Sequence, residues 1–522
     1  MKRNLVVVFV AAVALYLPTS RYGYVQDDRS IIVSNPATHS IGAALRAFDD
    51  PYWPAEAGAG LYRPLTILSF AVDWTIGRGR SGWLHLMNAL WHGLATVLFV
   101  CIIARWLPPM GAVAAGLAFA WHPVHVEAVA SLVGRAELLV AVGIFGGVLA
   151  VRRGWRIAAV VCAVLAMLSK EHGVIAGVVI LLDKWLRAGS MSPLSQRERG
   201  SGGGEKWPGG EVTLWIALGV VTLGFLAAWL TIGWVGENDA AAVFYGRSTW
   251  ERLAIALPAV LQAAVLLVWP ASLSVDYSPQ VIPARTGVSL AALLGFCIVV
   301  LVPALVLWCR RRAPAISFAA GLALLSYLPT SNLFFPSGVA LAERNLYLAI
   351  ALPAVLVGWG AAWFAVQRGA RPAALATAIL VVAAGARSLA RLPVWQDNRS
   401  QLLTLLIDHP ESYRAHASAA AVLAGLRDTA GARREYRTAD SLFSGDPYLD
   451  GAHAIFLIGI GDTAAALPLI ARGESTNVGV RMTRRARFLL ARARNQPGVA
   501  RAIADSAKEL PGDASWYRQY LQ

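Results

Sequence analysis

The feature that most constrains this chain is a recurring run of about 20 mostly apolar residues, the length an α-helix needs to cross the hydrocarbon core of a bilayer. Eleven such runs are readable, near 4–19, 84–106, 111–129, 134–151, 155–169, 172–187, 212–234, 288–309, 315–331, 345–366 and 372–390. Those at 155 and 172 are the shortest. Hydrophobic residues make up 57% of the 522 and charged ones only 15%, against about a quarter charged in ordinary soluble domains. A purely soluble protein is excluded.

The 46 Lys and Arg outnumber the 31 Asp and Glu, giving +15, a surplus that in a soluble chain would suggest nucleic acid. Here the basic residues fall in short clusters between apolar runs, the positive-inside pattern of a polytopic membrane protein, and no nucleic-acid partner is expected. With Lys2 and Arg3 inside, Arg105, the Arg152, Arg153 and Arg156 cluster, the stretch from Lys184 to Lys206, Arg310 to Arg312, and Arg368 with Arg371 all stay cytoplasmic. The stretch beyond residue 390 then lies outside. No small-residue cleavage site follows the first apolar run before Tyr22, so it is read as a retained helix. The Gly- and Ser-rich segment 188–210 reads as a flexible cytoplasmic linker. Cys101, Cys162, Cys297 and Cys309 all sit in or at the end of apolar runs without ligand spacing, as packing residues.

Two outer segments are long, 20–83 and 235–287. Residues 253–269 are apolar enough for another helix, but a crossing there would put Arg310 to Arg312 on the wrong side, so a re-entrant or interfacial helix is expected. From residue 400 the usage shifts to Ala, Arg, Asp and Gly with apolar residues at helical spacing. Asp428-Thr429-Ala430 recurs 34 residues later as Asp462-Thr463-Ala464, and a further 34 reaches Gln496-Pro497-Gly498. That is the period of tetratricopeptide helix pairs, and about three fit. The expected domains are a membrane domain over 1–395 and a small helical repeat domain over 396–522, outside the cytoplasm.

Ionisable groups at membrane depth are costly unless paired or hydrated, so they mark function. All the candidates map to the outer face. Adjacent Asp27 and Asp28 suit a general base and its orienting partner, or a turn with Arg29 as counter-ion. His122 and His125, followed by Glu127, have a spacing that could suit a metal, but Pro123 disturbs the helix and no further His joins them. A lining for a polar or anionic ligand is expected instead, with no metal and no cofactor. Arg135 and Glu137 follow closely. Lys170, Glu171 and His172 sit between two short spans, where Lys170 and Glu171 are also a natural pair. Asp276 and Tyr277 follow the re-entrant candidate. Glu343-Arg344 opens the tenth span, and an Arg fork at the membrane surface suits a phosphate head group. Arg63, in Tyr62-Arg63-Pro64, is a further basic candidate.

In order along the chain, YVQDDRSIIVSNP (24–36), YRPLT (62–66), HPVHVEAVASLVGRAELL (122–139), MLSKEHG (167–173), ENDAAAVFYGRSTWERL (237–253), LSVDYS (273–278) and SNLFFPSGVALAERNLYL (331–348) are followed by the repeats. This combination resembles the transmembrane and tetratricopeptide-repeat protein O-mannosyltransferases and their bacterial relatives, polytopic glycosyltransferases of the GT-C type. The resemblance spans nearly the whole chain. It implies an all-α fold of about 11 transmembrane helices, a polyprenyl-phosphate sugar as donor, a site on the non-cytoplasmic face, and an outer-loop Asp as base, here Asp27 or Asp28. Asp27 is favoured as base with Asp28 orienting it. Arg344, Lys170, Arg135, His122 and His125 would then serve the donor phosphate, and Arg63, Glu127, Glu137, Glu171, Asp276, Tyr277 and Glu343 would line the site.

The acceptor is expected to be Ser or Thr of an extracytoplasmic protein, with the repeats as its holding surface, and mannose is the leading sugar. The composition suggests a bacterial inner-membrane protein with periplasmic repeats. Sugar transfer to a glycolipid, polysaccharide or lipid A, a membrane transporter, and a noncatalytic repeat scaffold are the competing readings. A transporter would favour polar groups at the bilayer midplane. Here they cluster at one face.

Overall fold

The computed structural model describes residues 2–54, 60–189, 209–233, 240–475, 480–507 and 513–521. The linker read at 188–210 lies almost wholly outside the described residues. Among those residues the chain is helical, with a single isolated β-bridge between Pro279 and Ile282.

The membrane domain runs through α1 (Lys2–Tyr16), α2 (Pro64–Gly77), α3 (Ser81–Ile103), α4 (Pro109–Ala120), α5 (His125–Ala130), α6 (Arg135–Arg152), α7 (Arg156–Ser169) and α8 (Ala176–Gly189). It continues through α9 (Gly209–Ala228), α10 (Thr249–Val268), α11 (Leu290–Arg312), α12 (Pro314–Tyr327), α13 (Ala351–Arg368) and α14 (Ala370–Arg391). Eight described helices, α1, α3, α6, α9, α10, α11, α13 and α14, are long and apolar enough to cross a membrane, and this is an integral membrane protein. The runs at 111, 155 and 315 form the shorter helices α4, α7 and α12, and the run at 172 becomes a 3₁₀ turn followed by α8. In α8, buried Asp183 is paired with Arg152 and Arg187.

Burial separates two roles. Helix α6 is packed on nearly every side, whereas α11, with a mean hydropathy of 2.9, leaves most of its surface outward for lipid. Backbones approach closely where both partners are small, as membrane packing favours. A Cβ on Gly358 of α13 would overlap the carbonyl oxygen of Gly111 in α4, and one on Gly111 would come within 2.7 Å of the Gly358 oxygen.

The apolar stretch near 260 forms the helix expected there, α10, unbroken over 20 residues. The segments on both sides of it line one cavity, Ala241 to Val243 before it and Val275 to Pro279 after it. His122 Nε2 lies 3.2 Å from the Leu267 carbonyl near its C-terminus.

Beyond Trp395 come α15 (Asn398–Asp408), three helix pairs and a last short helix. The pairs are α16 (Tyr413–Gly425) with α17 (Thr429–Leu442), α18 (Pro447–Gly459) with α19 (Thr463–Glu474), and α20 (Val480–Ala493) with α21 (Pro497–Ser506). The residues that break each pair, Arg427, Gly461 and Asn495, are all left-handed, with φ of 63°, 85° and 54°, and they recur every 34 residues. Asp428 and Asp462 then cap the second helix of their pairs through side-chain oxygens. The backbone thus repeats at the same period as the sequence.

Gly358→Val is expected to destabilise the α4–α13 contact by about 1–3 kcal/mol through overpacking. The thermal midpoint in detergent should fall, while Gly360→Val, whose Cβ would meet nothing within 4 Å, should leave it unchanged.

Candidate active site

A cavity of about 300 Å³ lies where the first outer segment, the loops after α10 and α12, and the C-terminal helices meet. Its polar lining includes Asp27, Glu127, Asp276, Tyr277, Arg344, Tyr413 and Arg414.

The turn carrying the acidic pair separates its two carboxylates. Gln26 is left-handed, with φ of 45°, and its amide donates to Asn398 Oδ1 at 2.7 Å. Asp28 is fully buried and accepts the Val25 amide through one oxygen and the Val133 amide through the other, each at 3.0 Å. Asp28 therefore pins the turn, while its half-buried neighbour Asp27 faces the cavity. Burial pushes the Asp28 carboxyl up to about 7, against the lowering pull of its amide donors.

Arg344 is held by Glu127, which accepts from its Nη1 at 2.7 Å and from its backbone amide at 2.8 Å. Its neighbour Glu343 turns away into the protein and accepts from the Tyr277 hydroxyl at 2.9 Å and the Ser274 amide at 2.7 Å. Burial raises that carboxyl to about 8. Lys170 donates to Glu137 and, at 3.1 Å, to Asn345 Oδ1. Glu137 also meets His172 Nε2 at 3.3 Å. Desolvation lowers Lys170, with Glu137 opposing it. Arg63 grips Glu171 with both Nε and Nη2, at 2.8–3.1 Å.

These pairs bring the basic groups of Arg63, Lys170 and Arg344 near one another, as a row. Lys170 touches the residue next to Arg344, which lines the polar cavity. Tyr62, beside Arg63, and Met167 and Leu168, just before Lys170, line a second cavity of about 280 Å³ with Val221 and Phe225. That second cavity is almost wholly apolar.

Three residues expected at the donor phosphate, Arg135, His122 and His125, do not line the polar cavity. Arg135 has no exposed surface, and it donates to Asn88, Asp73 and the carbonyls of Ser69 and Leu84. A fully buried guanidinium with a protein partner on each of its three nitrogens acts as a structural tie. His125 is buried against Tyr347, with ring centroids 4.3 Å apart, and bonds to the Tyr347 carbonyl. His122 joins α10 through Leu267 and lies outside the cavity lining. Among the described residues, no three His, Cys, Asp or Glu side chains converge as a metal site would need.

Sequence reading missed Asn88, Asn345, Tyr413 and Arg414. Asn88 carried a usable signal, a polar residue in the middle of an apolar run. The other three become recognisable only through partners distant in sequence.

Because burial raises its pKa above the ordinary aspartate value of 3.8, the stability that Asp28 contributes is fully present below that value and is lost as pH rises through about 7. Asp28→Asn is expected to flatten the dependence of the thermal midpoint on pH between about 4 and 7 relative to wild type. A parallel pair of curves would contradict the assignment.

No protein-family profile matches the chain. It is 28% identical over 364 residues to the protein O-mannosyl-transferase F38B6.6 of Caenorhabditis elegans, covering 66% of this chain and 49% of that protein. It is 27% identical over 373 residues to protein O-mannosyl-transferase TMTC3 of Homo sapiens, covering 65% and 40%. A shorter match of 133 residues reaches 42% identity with protein O-mannosyl-transferase Tmtc2 of Drosophila melanogaster, covering 24% and 14%. The chain thus spans about half, or less, of the length of these relatives. Among solved structures it is similar to ArnT from Cupriavidus metallidurans bound to undecaprenyl phosphate, at 15% identity and a TM-score of 0.38, covering 98% of this chain and 84% of that one. The chain's homologues in sequence are protein O-mannosyl-transferases of the transmembrane and tetratricopeptide-repeat family.

Proposed function

We propose that this protein is an inverting membrane glycosyltransferase that moves a hexose, with mannose leading, from a polyprenyl-phosphate to a hydroxyl of an extracytoplasmic protein. The observation that carries the reading is the sequence of environments: an apolar cavity, a row of basic side chains, and a polar cavity lined by Asp27. A lipid-phosphate sugar presents those chemistries in that order. The curated relatives, all protein O-mannosyl-transferases by name, support it.

In this reading the isoprenoid tail lies in the cavity beside Tyr62 and Phe225, and the phosphate meets Arg63, Lys170 and Arg344. The Asp27 carboxylate takes the acceptor proton as the hydroxyl oxygen attacks the anomeric carbon. The bond from that carbon to the phosphate oxygen breaks with inversion, and its electron pair leaves with the lipid phosphate. Arg344 and Lys170 stabilise the charge that develops there, in surroundings where little water competes. Asp28 holds the turn, and no step calls for a metal. Arg135 and His125 are left out of the phosphate site because both are fully buried, and His122 because its ring turns to the Leu267 carbonyl of α10. The site belongs to the non-cytoplasmic face of a bacterial inner membrane, with the N-terminus cytoplasmic. The three helix pairs are tetratricopeptide-like.

The test uses purified protein, a labelled panel of polyprenyl-phosphate sugars and a periplasmic protein extract. Label is expected to pass from one donor into protein. Asp27→Asn should lower the rate by about 10²–10⁴, with a smaller loss in Asp28→Asn. Label entering glycolipid or polysaccharide would replace the acceptor. An Asp27→Asn enzyme of wild-type rate would sink the mechanism.

A further inference from the structure

The wall of the polar cavity is completed by the C-terminal helices. Leu405 of α15 and Tyr413, Arg414 and Ser418 of α16 all line it. The two domains are fastened at that rim. The Ser412 hydroxyl donates to Asp276 Oδ2 at 2.7 Å while it caps α16 through the Ala415 amide. Gln26, next to Asp27, donates its amide to Asn398, and Gln280 reaches the Leu442 carbonyl at 3.1 Å. Helix α16 is therefore placed relative to Asp27 by hydrogen bonds rather than by a tether alone.

The two arginines of this cavity are differently committed. Arg344 is engaged by Glu127 through both side chain and backbone. Arg414 gives its Nε to the Tyr413 hydroxyl at 3.1 Å, and its Nη1 stands 3.7 Å from Asp276, beyond hydrogen-bond length. The hydroxyls of Ser278 and Ser412 both donate to Asp276 Oδ2, so Oδ1 is the oxygen that faces Arg414. The side chain of Arg414 remains 42% exposed. Its terminal amino groups keep donors for a ligand.

We infer that Arg414 is a specificity-determining residue that binds the acceptor polypeptide, its guanidinium donating to carbonyl or carboxylate oxygens beside the hydroxyl that Asp27 deprotonates. This rests on the glycosyl-transfer reading and names the acceptor side of the same cavity. A guanidinium only donates, in a planar fork suited to paired acceptor oxygens. A polypeptide carries such oxygens at every residue, whereas the hydroxyls of a glycan offer no carbonyl. Helix α16 also opens a series of helix pairs, an architecture whose extended surfaces hold peptide segments.

The experiment measures steady-state transfer by the full-length protein in detergent, from a labelled polyprenyl-phosphate hexose to a Ser/Thr peptide, for wild type, Arg414→Ala and Arg414→Lys. Arg414→Ala is expected to raise the acceptor KM about tenfold or more, the scale of losing a charged hydrogen bond. The loss should appear there rather than in kcat or the donor KM, with partial recovery in Arg414→Lys. If the alanine variant does not fold, the lysine variant carries the test, because it keeps the charge and loses the fork. An unchanged acceptor KM, a fall confined to kcat, a shifted donor KM, or transfer to glycan alone would each overturn the inference. A wild type that consumes no donor would sink the glycosyl-transfer reading itself, an outcome distinct from active protein indifferent to Arg414.

Discussion

Arg135 is a guanidinium sealed inside an apolar bundle, and such a charge is tolerable only if every donor is used and a carboxylate stands beside it. Asp73 of α2 supplies the charge, Asn88 of α3 and two carbonyls accept from further N–H groups so that all three nitrogens have a partner, and the ring of Phe70 lies 4.6 Å from the guanidinium carbon. The consequence reaches the cavity. With its oxygen on Arg135, Asn88 turns its amide to the carbonyls of Val129, Ser131 and Leu132. That fixes the loop whose next residue, Val133, donates to Asp28. Three helices and the acidic turn are thereby joined by one chain of polar contacts. Breaking it at Arg135 would leave Asp73 buried and unpaired as well as freeing the loop.

The same rule organises the basic row. Arg63, Lys170 and Arg344 each face a carboxylate from a different element, Glu171, Glu137 and Glu127. In surroundings of low dielectric, unpaired cations at these positions would lose charge or unfold the site. Paired ones keep it and stay ordered. Preorganised charge that need not reorient during reaction is the largest electrostatic contribution that enzymes commonly make. The pairing that stabilises the empty protein thus also leaves the row ready for an anion.

How much of this could be read in the sequence depends on the distance over which each feature is determined. The apolar runs, the clustered basic residues and the 34-residue period are local or periodic, and the left-handed residues Arg427, Gly461 and Asn495 fall on the expected breaks. That Asp27 and Asp28 share one turn was legible too. Which of them faces the cavity was not, because it depends on Val133, 105 residues away, and on Asn398, 372 residues from Gln26. Arg135 passed the test of an ionisable group at membrane depth, yet its partners make it a strut. The test finds groups that must be satisfied, and a ligand is only one way to satisfy them. Arg414 failed that test because it lies in a soluble helix whose approach to the membrane domain leaves no local mark.

Arg344 shows why pairing does not close the site. Glu127 occupies its Nη1 and its backbone amide, but the side chain is still 30% exposed and lines the cavity. In the proposed reaction, a lipid phosphate arriving at the open edge need not displace Glu127. The carboxylate can keep the guanidinium oriented while the phosphate takes the remaining donors. In the proposed transfer, negative charge builds on the phosphate as the bond to the sugar breaks and its attraction to this fixed fork grows, whereas Glu127 carries the same charge throughout. The interaction therefore strengthens between ground state and transition state, which is the condition for binding energy to become rate.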